Sequence, residues 1–202
     1  MKVVVVGLGI QGRKRLAVAG AEAIGAVDPV AAGASWTQIE DVPIGDYDAA
    51  LVCTPDDPKV AVLTYLLSHG KHVLVEKPLV AAADTELEAL KALAARTGTA
   101  CYTAYNHRFE PHLAAVKRYL EEDRIGRVYH CRMFYGNGTA RDVRNSPWRD
   151  KGLGVIPDLA SHMLDLVLFW FGRPAGAPQV WTVQKHENAA FDYFLMGFPD
   201  SL

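Results

Sequence analysis

Apolar residues along this chain fall into short unbroken blocks. Lys2 to Val6, Ala23 to Val27, Ala49 to Cys53, His72 to Val75 and Ala100 to Tyr105 are rich in Val, Ile and Ala and show little polar alternation. Strands covered on both faces of a parallel sheet have this pattern. Helical segments separate them. One runs from about Ile10 to Ala19. A second follows Asp57–Pro58 to about His69, with proline in its first turn and Gly70 as its stop. A third, Thr85 to Arg96, has acids in its early turns and Gly98 beyond its end. Val30 to Tyr47 carries a weak signal, with a compressed helix and a short strand near Ser35–Trp36, so the second crossover is abbreviated. Strands alternating with helices at this spacing predict a doubly wound parallel sheet.

The fifth block leads into Asn106, His107, Arg108 and Phe109 and a helix to about Glu122. Beyond Gly126 the texture changes. Arg127 to Tyr135 reads as a strand, Gly136 to Lys151 as a loop rich in Arg and Gly, and Asp158 to Phe171 as a helix. Gln179 to His186 and Ala189 to Phe198 read as two further strands. The boundary is placed near Ile125, separating an α/β domain of residues 1–125 from a second domain of residues 126–202.

Composition narrows the class without changing this picture. The chain has 202 residues, half of them hydrophobic and 22% charged, as in folded globular proteins. A formal net charge of -2 gives no footprint for nucleic acid or an anionic membrane. Cys53, Cys101 and Cys131 are far apart and form no CxxC pair, so neither a disulfide framework nor a zinc site is signalled. The VVVVGLGI run is followed, not preceded, by Arg13, Lys14 and Arg15, unlike a signal peptide. The apolar run from Leu159 to Phe171 is broken by His162 and Asp165 and is too short to span a bilayer. A cytoplasmic protein with reduced thiols is expected.

Candidate chemistry begins at GLGIQG. Gly7, Gly9 and Gly12 have G-x-G-x-x-G spacing between the first strand and the first helix. In that context Gly7 makes a tight turn, Gly9 admits a pyrophosphate to the backbone, and Gly12 lets helix and strand pack closely. The loop residues Gly9, Ile10, Gln11 and Gly12 carry the amides that face the phosphates at a helix N-terminus. Asp28, ending the second strand, is the expected ribose-binding carboxylate and favours NAD over NADP; opening a turn with Pro29 is its plainer role. Thr54–Pro55, Glu76–Lys77 and Asn106 follow later strands, at the ends where ligands bind in such sheets.

Two further groups stand out. HVLVEKPL, His72 to Leu79, is a buried strand that stops in an acid, a base and a proline. On the late helix Asp158, His162 and Asp165 share one face. From that helix alone three readings stay open: a core histidine paired to a carboxylate, a metal site, which is disfavoured because such sites use more His or Cys, and a general base oriented by Asp158.

Together GLGIQG, Thr54–Pro55, HVLVEKPL, YNHRF at Tyr105 to Phe109, and D-x-x-x-H-x-x-D from Asp158 to Asp165 resemble the Gfo/Idh/MocA family, that of glucose–fructose oxidoreductase and inositol dehydrogenase. The resemblance runs from Met1 to about Gly172. It implies an N-terminal Rossmann domain, then an α+β domain whose antiparallel sheet forms a homo-oligomer interface. It further implies hydride transfer between NAD(P) and a carbinol carbon of a sugar, polyol or related substrate. By the same likeness Lys77 binds the reacting hydroxyl, Asp158 and His162 complete the proton-handling set, Glu76 lies near the nicotinamide ribose, and the Lys77–Pro78 peptide is a candidate for cis. His162 can be the base and Lys77 the cation, with the roles exchanged if Lys77 is neutral. A non-catalytic dinucleotide sensor of the same fold is the alternative; a methyltransferase would leave EKP and DxxxH unexplained.

The chain also departs from the family. Lys59 or a neighbour stands where relatives often have His, and the glycine run before Asp158 is interrupted. Only two strand candidates follow the last helix, so a truncated C-terminal sheet is expected. Arg141, Arg144, Arg149 and Lys151 crowd the loop before that helix; a solvated loop is the plain reading, and recognition of an anionic substrate such as a uronate or nucleotide sugar the sharper one.

Overall fold

The computed structural model describes residues 1–136, 139–145 and 150–199. They form two compact units, Met1–Ala104 and Tyr105–Leu202.

The first unit is a sheet of five parallel strands, β1 (Val3–Val6), β2 (Ala23–Val27), β3 (Ala49–Val52), β4 (His72–Val75) and β5 (Cys101–Thr103), in the order β2-β1-β3-β4-β5. Three helices connect them, α1 (Ile10–Ala19), α2 (Lys59–Ser68) and α3 (Asp84–Thr97). Alternate residues explain the layering, because successive side chains of a strand face opposite sides. Val4, Val6, Ala50, Val52, Val73 and Val75 join Leu63, Leu66 and Leu67 of α2 and Leu90 and Leu93 of α3 in the larger core, whereas Val5, Leu8 and Ala26 meet Leu16 of α1 on the other face. Each fully buried leucine contributes roughly 1.5–3 kcal/mol of transfer free energy. Helices on both faces make this a doubly wound sheet, as expected.

The abbreviated crossover is visible. Trp36 makes a single parallel bridge to Val27, the remnant of a strand outside β2. Two short 3-10 turns, Ile39–Asp41 and Ile44–Asp46, stand where a helix was expected.

The second unit opens with a 3-10 turn, Asn106–Phe109, and then α4 (Pro111–Glu121). The structural division thus precedes Ile125. Helix α4 lies in the second unit because it packs on the later helix α6 (Ser161–Phe171), where Trp170 Nε1 donates to the Leu113 carbonyl at 3.1 Å. A short helix, α5 (Thr139–Arg144), interrupts the segment expected to be loop. Strands β6 (Gln179–Gln184) and β7 (Tyr193–Gly197) pair antiparallel. Their connection is held by two carboxylates. Asp192 accepts from the amides of His186, Glu187 and Asn188, and Asp150 from those of Ala189 and Ala190.

Two expectations for this unit are corrected. Arg127 to Tyr135 is not a strand: from Cys131 to Gly136 alternate residues are exposed, as in a strand, but among the described residues no neighbour supplies the ladder that defines one. The helix expected from Asp158 begins instead as a π-type turn, Ile156–Ala160, and becomes α-helical at Ser161. No helix among the described residues is long and apolar enough to cross a membrane.

Candidate active site

Because all strands of the first unit are parallel, their carboxyl ends lie along one edge, and the glycine loop, Asp28, Thr54 and Glu76–Lys77 all stand there. The loop between β1 and α1 is built by close approach. A Cβ on Gly12 would sit 1.8 Å from the Gly7 carbonyl oxygen, and Gly7 itself, at φ 94°, packs on the Cys53 backbone. Gly9 differs. It is exposed, and a Cβ there would meet nothing within 4 Å. It is also the N-cap of α1, with no side chain capping the helix, so the first amides of α1 lack intrahelical acceptors. Ile10 and Gln11 are exposed beside it.

Asp28 closes this loop from the side. Its Oδ2 accepts from the Leu8 amide at 2.8 Å, and its Oδ1 from Val30 and Ala31 at 3.0 and 2.8 Å. The Leu8 amide foremost, against the opposing effect of burial, holds the carboxyl below its ordinary range. The turn reading of Asp28 is seen in its bonds to Val30 and Ala31, and the bond to Leu8 sets the same carboxylate against the glycine loop. Asp28, Ser35, Trp36, Thr37 and Asp41 line an open pocket of about 480 Å³, and among the described residues no lysine or arginine stands in its wall. At the end of β3 the buried Thr54 hydroxyl has no hydrogen-bond partner among the described residues, and Pro55 beside it is exposed. An open glycine, uncapped helix amides, a carboxylate on the next strand and an unpartnered hydroxyl fit a dinucleotide.

The tip of β4 is held by partners that sequence reasoning missed. Arg15 of α1 meets Glu76 Oε1 through Nε at 2.8 Å and Nη2 at 2.7 Å. Lys59, only 2% exposed, donates from Nζ to Asp56 Oδ1 and to the Pro78 carbonyl, each at 2.7 Å. Lys77 lies between these two anchors, half-buried. The Lys77–Pro78 peptide, a candidate for cis by the family resemblance, is cis. Neighbouring Cys53 is desolvated and near Glu76, which pushes its thiol up to about 12.

The remaining predicted residues belong to the second unit. Asn106 is exposed at its first 3-10 turn. Asp158 lies in the π turn, a feature common at functional sites, and His162 follows in the first turn of α6, 7% exposed. Around His162 stand Tyr105, His107 and Tyr135, with ring centroids 5.9, 4.4 and 6.5 Å away. His107 Nδ1 is 2.5 Å from Glu110 Oε1. His107, Glu110, Tyr135 and His162 line a cavity of about 320 Å³ together with Met163, Leu166 and Trp170. Asp165 does not join His162 in a ligand set: Arg108 takes both its oxygens, at 2.7 and 2.6 Å. Among the described residues no cluster of three or more His, Cys, Asp or Glu side chains is arranged to hold a metal. The YNHRF motif already contained Tyr105, His107 and Arg108; spacing alone did not show that they surround the late helix.

Comparison with known proteins agrees with both halves. Residues 1–105 match the family model described as an oxidoreductase family with an NAD-binding Rossmann fold, and residues 113–198 match the GFO/IDH/MocA C-terminal domain. The chain belongs to the Gfo/Idh/MocA family. Inositol 2-dehydrogenase of Rhizobium meliloti is 28% identical over 162 residues, covering 77% of this chain and 47% of that protein. Levoglucosan dehydrogenase of Pseudarthrobacter phenanthrenivorans is 30% identical over 144 residues, covering 68% and 36%. The chain therefore spans less than half the length of these relatives. Among solved structures, scyllo-inositol dehydrogenase from Lactobacillus casei with bound NAD(H) and scyllo-inositol superposes with a TM-score of 0.71 at 21% identity, covering 89% of this chain and 57% of that one. An NAD-binding protein from Listeria innocua gives 0.70 at 24%, with the same coverage. At these identities the structural matches establish the fold.

Proposed function

We propose that this protein is an NAD-dependent oxidoreductase that moves a hydride between the nicotinamide and a carbinol or keto carbon of a sugar, polyol or sugar derivative. The observation that carries this reading is Lys77, standing at the carboxyl edge of the sheet that also bears the open glycine loop, Asp28 and Thr54. The amides of Gly9, Ile10, Gln11 and Gly12 would hold the pyrophosphate, Asp28 the adenosine ribose, and Thr54–Pro55, Glu76 and Asn106 the nicotinamide half. Asp28 and Asp41, both in the wall of the adjoining pocket, favour NAD over NADP, because carboxylates there would repel a 2′-phosphate.

When bound, the nicotinamide supplies the hydride acceptor. As the hydride leaves a carbinol carbon, its oxygen must shed a proton, and a nearby cation stabilises the developing alkoxide. Lys77 supplies that cation, and His162 takes the proton with Asp158 orienting it. The substrate class extends to anionic derivatives: Arg141, Arg144 and Lys151 are exposed, Arg144 pairing loosely with Glu187 at 3.7 Å, while Arg149 lies outside the described residues. The exposed apolar side chains of β6 and β7, Val180, Trp181, Tyr193 and Leu195, support a homo-oligomer formed through this sheet.

One panel tests the proposal. NADH formation is followed against sugars, polyols, uronates and nucleotide sugars for wild type, Lys77→Ala and His162→Ala. Wild type turns over at least one substrate, and each variant loses roughly 10²- to 10⁴-fold in kcat. Undiminished turnover in a variant removes that residue from the mechanism, and NADH binding without turnover leaves a dinucleotide sensor. Equal kcat/KM for neutral and anionic substrates rules out recognition of the anion.

A further inference from the structure

Lys59 is a cation in an unfavourable place. It is the first residue of α2, where the helix dipole opposes positive charge, and it is almost fully removed from water, which costs free energy unless its protons are well used. Asp56, 53% exposed, does not explain the burial, since the same pair could form in solvent. The other partner does: Nζ reaches the carbonyl of Pro78, the residue after Lys77.

The sheet leaves this carbonyl to be held by something else. Parallel pairing of β4 ends at Val75, and the last main-chain bond along it runs from the Glu76 amide to the Val52 carbonyl. Pro78 has no amide to donate. Arg15 grips Glu76 on one side and Lys59 grips Pro78 on the other, so the residues flanking Lys77 are tied to α1 and α2 respectively.

We infer that Lys59 is a positioning residue for Lys77: through the Pro78 carbonyl it anchors the proline joined to Lys77, and so restrains the backbone from which the Lys77 side chain is aimed. This rests on the proposed role of Lys77 at the reacting hydroxyl. Misplacing a reacting group by ~1 Å can cost about 100-fold in rate, so the bond has a catalytic consequence beyond stability.

The test compares Lys59→Met, which keeps length but not the donor, with Lys59→Gln, which keeps an N–H donor without the charge. Acetylation of Lys77 relative to the exposed Lys91, followed by mass spectrometry, reports the setting of Lys77 without using turnover. In Lys59→Met this ratio shifts by about threefold or more and kcat falls by about 10- to 100-fold, while NADH affinity stays within about twofold. Lys59→Gln recovers most of both. Asp56→Asn, which retains the bond to Pro78, keeps the wild-type ratio, and Lys59→Gln decides the matter should Lys59→Met fail to fold. An unchanged ratio in folded Lys59→Met, a changed ratio in Asp56→Asn, or losses in the Gln variant that track its Tm alone would overturn the inference. A wild type that oxidises no carbinol refutes the preceding reading instead, and the acetylation ratio still decides the role of Lys59.

Discussion

Two glycines of one loop have opposite prospects on substitution. Gly12→Ala places a methyl 1.8 Å from a backbone oxygen and 2.8 Å from its carbon, against ordinary contacts near 3.5 Å or more. The main chain of α1 or of the loop must move by more than an ångström, and overpacking of this kind costs about 1–3 kcal/mol or more. Gly9→Ala adds its methyl to open space at φ -65°, a backbone angle any residue adopts. Alanine is a poorer N-cap than glycine by some tenths of a kcal/mol, but it restricts the unfolded chain by about 0.4–1 kcal/mol, so the two terms nearly cancel. If Gly9 is where a pyrophosphate approaches, the methyl occupies the ligand's place, and NADH binding weakens by about tenfold or more, equivalent to about 1.4 kcal/mol. Thermal denaturation and fluorescence titration with NADH separate the two effects. Gly12→Ala should lose several degrees in Tm as well as affinity, whereas Gly9→Ala should lose affinity alone. Wild-type NADH affinity in Gly9→Ala would refute the assigned phosphate site, and an undisturbed Tm in Gly12→Ala would refute the packing argument.

Asp28 and Cys53 give two further tests. The folded-state pKa of Asp28 is depressed, so its stabilising contribution is complete above the unfolded value of about 3.9 and is lost as pH falls through the folded value. The stability gap between wild type and Asp28→Asn, measured by urea unfolding, should therefore shrink as pH is lowered below about 4; a gap unchanged from pH 7 to 3, values chosen roughly to bracket that range, removes the carboxylate from the account. The Cys53 thiol, pushed up to about 12 by burial and by Glu76, stays protonated at neutral pH. Iodoacetamide should therefore modify it far more slowly in the native protein than in urea, and comparable rates would show that the loop opens freely.

The first unit was legible because its signals are local. The strand, glycine spacing and helix of β1-α1-β2 lie within one short stretch, and the bounds of α1, β2 and β4 agree with those read from the sequence. Asp28 was singled out by the same logic, and its hydrogen bonds to Val30 and Ala31 show the turn reading. Arg127 to Tyr135 was misread because alternation reports which side chains are covered, whereas a strand also needs a neighbour to complete its hydrogen bonds.

What escaped the sequence is a set of long-range ion pairs and hydrogen bonds, and each changes the meaning of a residue that the pattern had singled out. Counting positions on the late helix put Asp158, His162 and Asp165 on one face and left a metal set or a carboxylate–histidine pair open. Arg108 takes Asp165 from 57 positions away, so Asp165 ties the 3-10 turn of YNHRF to α6. That same turn carries His107 into ring contact with His162. In the first unit, Glu76 looked like the charged neighbour of Lys77, yet its carboxylate is taken by Arg15, while Lys59 secures the other side of the tip. Such pairings depend on which helix ends the fold brings to a strand end, and no local periodicity encodes that. The motifs therefore marked which groups to examine, while the surrounding basic residues, individually unremarkable in sequence, hold Glu76, the Pro78 carbonyl and Asp165 in position.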